Sequence, residues 1–238
     1  MQNDNFIYHT PRYKTITDIN GLKEITESGK IALMCPECFH MIEADINYTK
    51  SIYLDDKVPD LFASNSYYGE CPECHTSNEF IQIDINMAQI INILNRKGYY
   101  TAYCCEGHLE PADDCSGNIE FTCPYVYFYI WEITYDLRAF QLPDTWFIDD
   151  LDWECKVFTI YDKVGCYVKR FSEFMENKEL IKTIERIWDK EQSLRDLYNW
   201  ALSLPVNINS ENHYQYIKKY GKQIILNNAE RISLYGMM

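Results

Sequence analysis

The sequence has no long uninterrupted apolar segment, and this argues against a membrane-spanning helix. Its densest apolar run, residues 125–131, is far shorter than the roughly 20 residues that a helix needs to cross a bilayer. The N-terminal residues also lack a basic stretch followed by an apolar one, so we expect no secretory signal. These two features predict a cytoplasmic protein with no membrane partner.

Lysine and arginine are almost missing from the middle of the chain. Residues 103–155 contain one Lys or Arg against twelve Asp or Glu, whereas residues 1–102 contain 8 against 14 and residues 156–238 contain 13 against 10. The formal net charge is −14. Because phosphate contacts depend on Lys and Arg, we expect no appreciable binding to non-specific duplex DNA. A macromolecular partner would be a protein or a specific nucleic acid, with only the C-terminal third locally basic.

Low-complexity linkers are also missing, and the composition is that of a folded protein. Apolar residues make up 47% of the 238 positions and aromatic residues 15%, which is enough for a sizeable core. The ten cysteines raise the possibility of a secreted disulfide scaffold. The length, the missing signal and the pairing of the cysteines favour reduced or metal-bound thiols instead.

Two identical Cys-Pro-Glu-Cys sequences stand out, the first hook at residues 35–38 and the second hook at residues 71–74. Each hook can place two thiolates on a tight turn about 2.3 Å from one zinc ion. Strand-like residues flank them at 31–34 and 79–83, so strand, turn and strand occur twice, which is the pattern of a zinc ribbon. The predicted zinc ligands are Cys35, Cys38, Cys71 and Cys74.

Two alternatives to this zinc site remain open. Both hooks could be redox motifs or form disulfides, and His40 or His75 could replace one cysteine as a ligand. A zinc ion with four thiolates has no open position for water and performs no Lewis-acid catalysis. The predicted role is therefore structural, or that of a module that contacts a macromolecular partner.

A second group of reactive side chains is the sequence Cys-Cys-Glu-Gly-His at residues 104–108, which follows a predicted strand. Cys105 and His108 are candidate catalytic residues, because a nearby imidazolium lowers a thiol pKa and creates a nucleophile. Cys104 and Gly107 are candidate ligand-binding residues, since a glycine turn can present backbone amides to an anion. An enzyme of this kind would act on a nucleotide or nucleic acid.

Two other interpretations of residues 104–108 remain. Cys104 or Cys105 could bind a second zinc ion together with His108, Cys115 and Cys123, although the gaps between them are irregular. Alternatively, one of the adjacent cysteines points into the core and the other to the surface, because neighbouring residues of a strand face opposite sides.

Several remaining features favour ordinary structural roles. The acidic run from Asp144 to Glu154 lacks the spacing of a calcium loop and is expected to be a solvated face. The aromatic residues between 125 and 161 are expected to be core rather than a base-stacking platform. Cys155 and Cys166 are expected to be buried or half-buried small apolar residues.

Hydrophobic periodicity predicts an α+β fold with a small mixed β-sheet and a packing helix. Four parts are expected: an N-terminal segment at 1–30, a zinc ribbon at 31–84, an α+β domain at 85–165 and a helical region at 166–238. Within them we predict helices at 21–28, 86–97 and 132–141, two helices between 180 and 205, a last helix from 209, and strands at 99–103, 119–121, 125–130, 146–148 and 157–161.

The helix at 86–97 has the clearest boundaries. Asp84 or Asn86 can cap its start, and Gly98 follows its last turn, where Arg96 and Lys97 complement the helix dipole.

Residues 86–161 resemble a family of bacterial and phage proteins of unassigned activity. The resemblance rests on the helix containing residues 91–95, the Gly-Tyr-Tyr-Thr sequence at 98–101, the Cys-Cys-Glu-Gly-His sequence at 104–108 and the strand at 119–121. It implies a fold and a phage or mobile-element origin, and it places Cys105, Gly107 and His108 on a ligand-facing loop.

More distantly, the same stretch is similar to the wyosine-synthesis tRNA methyltransferase family, whose equivalent loop is rich in Ser and Cys and ends in Gly-Arg. This chain has His108 at the arginine position, lacks the serines and is acidic around the loop. The resemblance therefore does not extend to S-adenosylmethionine or tRNA as ligands.

Overall fold

The computed structural model describes residues 6–11, 13–19, 22–53, 67–111, 119–129, 140–148, 157–166 and 177–206. Helices and antiparallel sheets both occur in these ranges, so the α+β class is confirmed. Within the same ranges, no helix has the length and apolar character required to cross a membrane.

The first sheet is built around one long strand. Its members are β1 (Tyr13–Ile19), β2 (Leu22–Met34), β3 (Met41–Tyr53), β4 (Tyr67–Glu70) and β5 (Ser77–Asp84). One edge of β2 pairs with β3 along its whole length, and the other edge pairs first with β1 and then with β5. β4 pairs with β5 and lies at the edge of the sheet.

The helix predicted at 21–28 is wrong, because residues 22–28 belong to β2. These residues pair with both β1 and β3, and the sheet context overrides a weak local helical signal. The predicted division into four parts stays a prediction. β2 runs without interruption across residue 30, where its first boundary was placed.

Alternate residues of β2 contribute to two different cores. Ala32 and Met34 face the main core, which also contains buried residues of the helices and of the second sheet. Ile31 and Leu33 face a smaller hook core, which contains the buried Cys35 and Cys71 as well as Ile46 and Phe80. A strand places successive side chains on opposite faces, so β2 separates the buried cysteines Cys35 and Cys71 from the main core.

The second half begins with a 3-10 turn at Ile85–Met87 and helix α1 (Ala88–Arg96). Six strands follow: β6 (Thr101–Cys105), β7 (His108–Pro111), β8 (Ile119–Thr122), β9 (Tyr125–Tyr129), β10 (Trp146–Ile148) and β11 (Val157–Asp162). The order β10-β11-β9-β6 forms the second sheet, and β7 pairs with β8 in a third.

Every strand pairing among the described residues is antiparallel, so the predicted mixed sheet is wrong. Parallel pairing needs a crossover connection of roughly a dozen residues or more between the two strands. Neighbouring strands here run in opposite directions. The strand predicted at 99–103 lies two residues later, so Cys104 and Cys105 are inside β6.

The predicted cap of α1 is also wrong. Neither Asp84 nor Met87, the residues before the 3-10 turn and the helix, makes a side-chain capping bond. The Asn86 side chain instead binds the backbone of His9, accepting from its N–H at 2.7 Å and donating to its carbonyl at 3.1 Å. Gly98 follows α1 with a φ of 90°, as expected for the residue after a helix.

Two helices complete the described chain, α2 (Asn177–Ile187) and α3 (Lys190–Ser203). The buried face of α3 packs with that of α1 in the main core. Lys97 donates from Nζ to the carbonyls of Ala201 at 3.0 Å and of Leu202 and Leu204 at 2.6 Å. Lys97 therefore binds the free backbone carbonyls at the end of α3. The sequence predicted instead that it would complement the helix dipole at the end of α1. The helices predicted at 132–141 and from 209 lie outside the described residues, apart from residues 140 and 141, which are not helical.

Candidate metal centre and neighbouring thiol site

The two hooks form the turns of two hairpins, between β2 and β3 and between β4 and β5. In the first turn, the N–H of Cys35 donates to the His40 carbonyl at 2.9 Å, and the N–H of Phe39 donates to the Cys35 carbonyl at 2.9 Å. In the second, Cys71 donates to Thr76 and His75 to Cys71, again at 2.9 Å. The same local sequence thus produces the same turn twice. Pairing of β5 with β2 brings the two turns together.

The sulfurs of the four cysteines converge in a four-cysteine cluster. Cys35 and Cys74 have their Sγ atoms 3.7 Å apart, and Cys38 and Cys71 have theirs 3.6 Å apart. All four sulfurs lie within 4.8 Å of one another. Four sulfurs bound tetrahedrally to one ion at about 2.3 Å would lie about 3.8 Å apart, whereas a disulfide needs about 2.05 Å. The cluster could therefore hold a metal ion.

The surroundings of the sulfurs give them different proton affinities. Burial raises the pKa of the Cys35 and Cys38 thiols. Burial also acts on Cys74, but hydrogen bonds from Thr76 outweigh it and lower the pKa of Cys74 to about 7. Because buried thiolates repel one another, all four can ionise together only when a cation compensates their charge.

Asn78 and Thr76 support the second hook, and sequence reasoning did not identify either. The Thr76 hydroxyl lies 2.9 Å from the Cys74 sulfur. Asn78 is buried and donates from Nδ2 to the Thr76 hydroxyl at 2.5 Å, with the Cys35 sulfur 3.9 Å away. Hydrogen bonds of this kind orient metal ligands.

The two histidines beside the hooks are not part of the cluster. The His75 side chain is 75% exposed and lies 3.4 Å from the Glu70 carboxylate. The His40 backbone carbonyl accepts from the Cys35 N–H in the first turn, and His40 is half-buried. Among the described residues, the cluster of ligand atoms contains only the four cysteines.

A second cluster, the thiol site, consists of Asp84, Cys105 and His108. Its three ligand-type atoms lie within 4.8 Å of one another. The end of β5 supplies Asp84, the end of β6 supplies Cys105, and the start of β7 supplies His108. The Nε2 atom of His108 is 3.0 Å from the Asp84 Oδ2 atom. Sequence reasoning placed Cys105 and His108 together but assigned Asp84 to helix capping.

Backbone groups of the connecting turn orient the thiol site. The N–H of Glu106 donates to Asp84 Oδ2 at 3.0 Å, and the N–H of Gly107 donates to the Cys105 sulfur at 3.3 Å. Gly107 has a φ of 84°. A Cβ atom there would lie 2.9 Å from Pro124 and from Trp188, so only glycine fits this turn.

A buried ion pair fixes the same turn from the other side. Lys190, at the start of α3, donates from Nζ to Glu106 Oε1 at 2.9 Å and to the Gly107 carbonyl at 2.7 Å. The second carboxylate oxygen of Glu106 accepts from the N–H of Asn86 at 3.1 Å. The Glu106 side chain is 1% exposed. The loop that carries the thiol site is therefore tied to both α3 and the start of the α1 segment.

The charge of Asp84 controls protonation in this site. Burial alone would lower the pKa of His108, but the Asp84 charge and its hydrogen bond raise that pKa to about 10. Burial, with Asp84 as a secondary cause, raises the pKa of the adjacent Cys104 thiol well above its usual value. At neutral pH, His108 is therefore an imidazolium and Cys104 a neutral thiol.

Cys123 does not lie beside His108, where the second-zinc interpretation requires it. Its sulfur is 3.3 Å from that of Cys166, in a small apolar cluster with Phe121 and Ile184. Among the described residues it does not belong to the group formed with His108. Cys115 and Cys155 lie outside those residues, as does the acidic run after Asp144 except for residues 145–148.

The aromatic residues of the second sheet divide between its two faces. One face carries Val126, Phe128, Trp146 and Ile160, which are buried in the main core. The opposite face, termed the aromatic face, carries half-buried rings in edge-to-face, tilted or stacked contact. Its members are Tyr103, Tyr125, Tyr127, Phe147 and Tyr161. The expectation that these aromatic residues are core therefore applies to the first face only.

The chain has no counterpart in the comparisons with known proteins: no family model, curated protein or solved structure matches it. The family resemblance of residues 86–161 stays a prediction. The chemistry of the two clusters must therefore be inferred from their own geometry.

Proposed function

We propose that the four-cysteine cluster binds one zinc ion and that the hooks with their hairpins form a zinc ribbon. This proposal rests on the separations of 3.6 and 3.7 Å between sulfurs of the first hook and sulfurs of the second hook. Thiolates are soft ligands, and a tetrahedral set of four favours zinc or iron. Zinc is proposed because it needs no redox partner, and the reducing cytoplasm keeps such thiols available.

The proposed role of the ion is structural. Four thiolates fill the tetrahedral coordination of zinc, so no position is left for a substrate. The hook core is small, with six buried residues, and two of these are ligand cysteines. Structural zinc sites in small modules contribute apparent binding energies of about 10–16 kcal/mol. Such a contribution would stabilise hairpins whose own core is thin.

We further propose that the stabilised hairpins are a contact surface for a macromolecular partner. β4 lies at the edge of the first sheet, and Tyr68 on it is 72% exposed. An exposed edge strand offers unpaired backbone groups to another chain. A protein or a specific nucleic acid fits the strongly acidic middle of the sequence better than generic duplex DNA does.

Metal analysis of the purified protein tests the zinc assignment. We expect about one zinc ion per chain, and we expect Cys71→Ser to lower the zinc content while Cys104→Ser leaves it unchanged. The Cys104 variant is a matched control, because that cysteine lies outside the four-cysteine cluster. Full zinc content in a variant lacking all four hook cysteines would contradict the proposal, and iron in place of zinc would contradict the choice of metal.

A further inference from the structure

We propose that Asp84, His108 and Cys105 form a nucleophilic thiol centre that accepts an acyl group from an ester or thioester. The thiol is the nucleophile, the imidazole exchanges a proton with it, and the carboxylate orients the imidazole. This arrangement of nucleophile, base and orienting group is the general requirement for covalent acyl transfer. The proposal does not depend on zinc in the four-cysteine cluster.

The geometry favours an oriented imidazole over a second metal site. The separation of 3.0 Å between His108 Nε2 and Asp84 Oδ2 is that of an N–H···O hydrogen bond. Two ligand atoms about 2.0 Å from one tetrahedral ion would lie about 3.3 Å apart. The same Asp84 oxygen also accepts from the N–H of Glu106, so the carboxylate is held in the orientation that the imidazole needs.

Two polar groups lie close to the Cys105 sulfur. The N–H of Gly107 donates to this sulfur at 3.3 Å, and a ring nitrogen of His108 lies within 4.8 Å of it. A thiolate is stabilised by both kinds of neighbour. The buried pair of Lys190 and Glu106 fixes the turn, so the nucleophile and its proton donor are oriented before a substrate binds.

Acyl transfer fits this site better than thiol–disulfide exchange. Exchange within one protein needs a second cysteine beside the first, and the adjacent Cys104 points to the other face of β6. Among the described residues, Cys104 packs against the main core, while Cys105 pairs across the sheet with Tyr125. Tyr125 belongs to the aromatic face, so Cys105 lies on that face of the sheet.

The reaction balances without an oxidant or a cofactor. The Cys105 sulfur adds to the carbonyl carbon of the ester, and the bond from that carbon to the leaving oxygen breaks as His108 gives it a proton. An acyl thioester on Cys105 results. Neutral His108 then takes a proton from water, the hydroxide adds to the thioester carbon, and the carbon–sulfur bond breaks. The carboxylic acid leaves and the thiolate–imidazolium pair is restored.

Acylation by p-nitrophenyl acetate is the primary test, with each modified cysteine located by mass spectrometry. At neutral pH we expect Cys105 to be acetylated at least about 10-fold faster than Cys104, and His108→Gln to remove this difference, since general acid–base catalysis typically contributes 10²–10⁴-fold. Cys166→Ala is the control, because that cysteine lies in a separate apolar cluster beside Cys123, and it should leave the acetylation of Cys105 unchanged.

Two outcomes would overturn the proposal. In the first, Cys105 reacts no faster than Cys104 and His108→Gln has no effect, which would make the site structural. In the second, the protein holds two zinc ions and Cys105 reacts only after a chelator is added, which would make Asp84, Cys105 and His108 metal ligands. Zinc content in a variant lacking the hook cysteines, measured separately, would distinguish failure of this proposal from failure of the zinc ribbon.

The pH profile of the unmodified protein gives a second test if the histidine variant fails to fold. The thiolate fraction of an ordinary cysteine, with a pKa of about 8.5, falls about 10-fold for each pH unit below that value. A paired thiolate should retain its acetylation rate between about pH 8 and pH 6, and an ordinary 10-fold fall per unit would overturn the proposal. The ionisable groups around the Cys105 thiol are Asp84, Cys104, Glu106, His108, Tyr125 and Lys190.

Discussion

The two hooks have the same sequence and the same turn but different surroundings. In each turn, the residue after the second cysteine has a left-handed backbone, with a φ of 60° at Phe39 and 57° at His75. Glycine is the residue that adopts this conformation without strain. Both hooks have a larger residue at this position, and the burial of that residue differs between them.

The first hook is anchored by packing, and the second is not. Phe39 is 6% exposed and belongs to the main core, where its ring lies 6.4 Å from that of Tyr100. Its carbonyl accepts from the side chain of Asn92 on α1 at 2.6 Å. His75 is exposed, and its hairpin includes β4 at the edge of the sheet. A motif can therefore specify a turn, while the flanking residue decides whether that turn is packed into the main core.

Metal removal should produce the largest difference between the two hooks. After chelation, we expect hydrogen exchange at the amides of Cys71 and His75 to accelerate at least about 10-fold more than at those of Cys35 and Phe39, because local opening depends on local packing. All four amides are hydrogen-bonded within their turns at 2.9 Å, so each of them reports on the opening of its own turn. Equal acceleration in both hooks would contradict the proposed difference in anchoring.

Removing the anchor should make the first hook resemble the second. Phe39→Ala deletes a ring that is 6% exposed, and such truncations cost about 3–5 kcal/mol in the free energy of unfolding. His75→Ala changes an exposed side chain and should cost no more than about 0.5 kcal/mol. Both alanines would occupy the same left-handed conformation, so backbone strain cancels in the comparison. Urea denaturation of the metal-loaded proteins measures both values, and similar losses would disprove the difference.

Local sequence patterns predicted the parts of the molecule that depend on neighbouring residues. The turn at each hook, helix α1 and strands β8 to β11 all follow from spacing, periodicity or a terminal glycine within a short window. The helix predicted at 21–28 failed because residues of β2 pair with β1 and β3. Pairing with distant segments leaves no local signal that separates a strand from a weak helix.

The same reason explains why Asp84 was assigned to capping. An aspartate just before a helix is a typical cap, and nothing near it in the sequence indicates another partner. Its actual partners are His108, which lies 24 residues away in sequence, and the N–H of Glu106, 22 residues away. The pairing of β6 with β9 and of β7 with β8 positions these groups, so the third member of the thiol site is visible only in the folded chain.

Substitution of two asparagines should distinguish the contribution of packing from that of metal binding. We expect both effects to be smaller than the loss of stability in Phe39→Ala. Asn92→Ala removes the bond to the Phe39 carbonyl and should lower stability by about 1–2 kcal/mol without changing metal affinity. Asn78→Ala removes the support of Thr76 beside the Cys74 sulfur and should weaken metal affinity about 10-fold. Denaturation and competition with a metal chelator measure the two effects. If Asn92→Ala weakened metal binding as much as Asn78→Ala, packing and metal binding would not be separable.

The smallest expected effect is a gain in stability from glycine in the second hook. A left-handed conformation costs a residue other than glycine about 1–2 kcal/mol, while glycine costs about 0.5–1 kcal/mol through the greater freedom of the unfolded chain. Because the His75 side chain is 75% exposed, its loss removes little packing, and His75→Gly should stabilise the protein by about 0.5–1 kcal/mol. Phe39→Gly relieves the same backbone strain but loses a buried ring, so it should still destabilise. Opposite signs in thermal denaturation would support this account, whereas a gain from both glycines would mean that backbone strain outweighs packing even in the first hook.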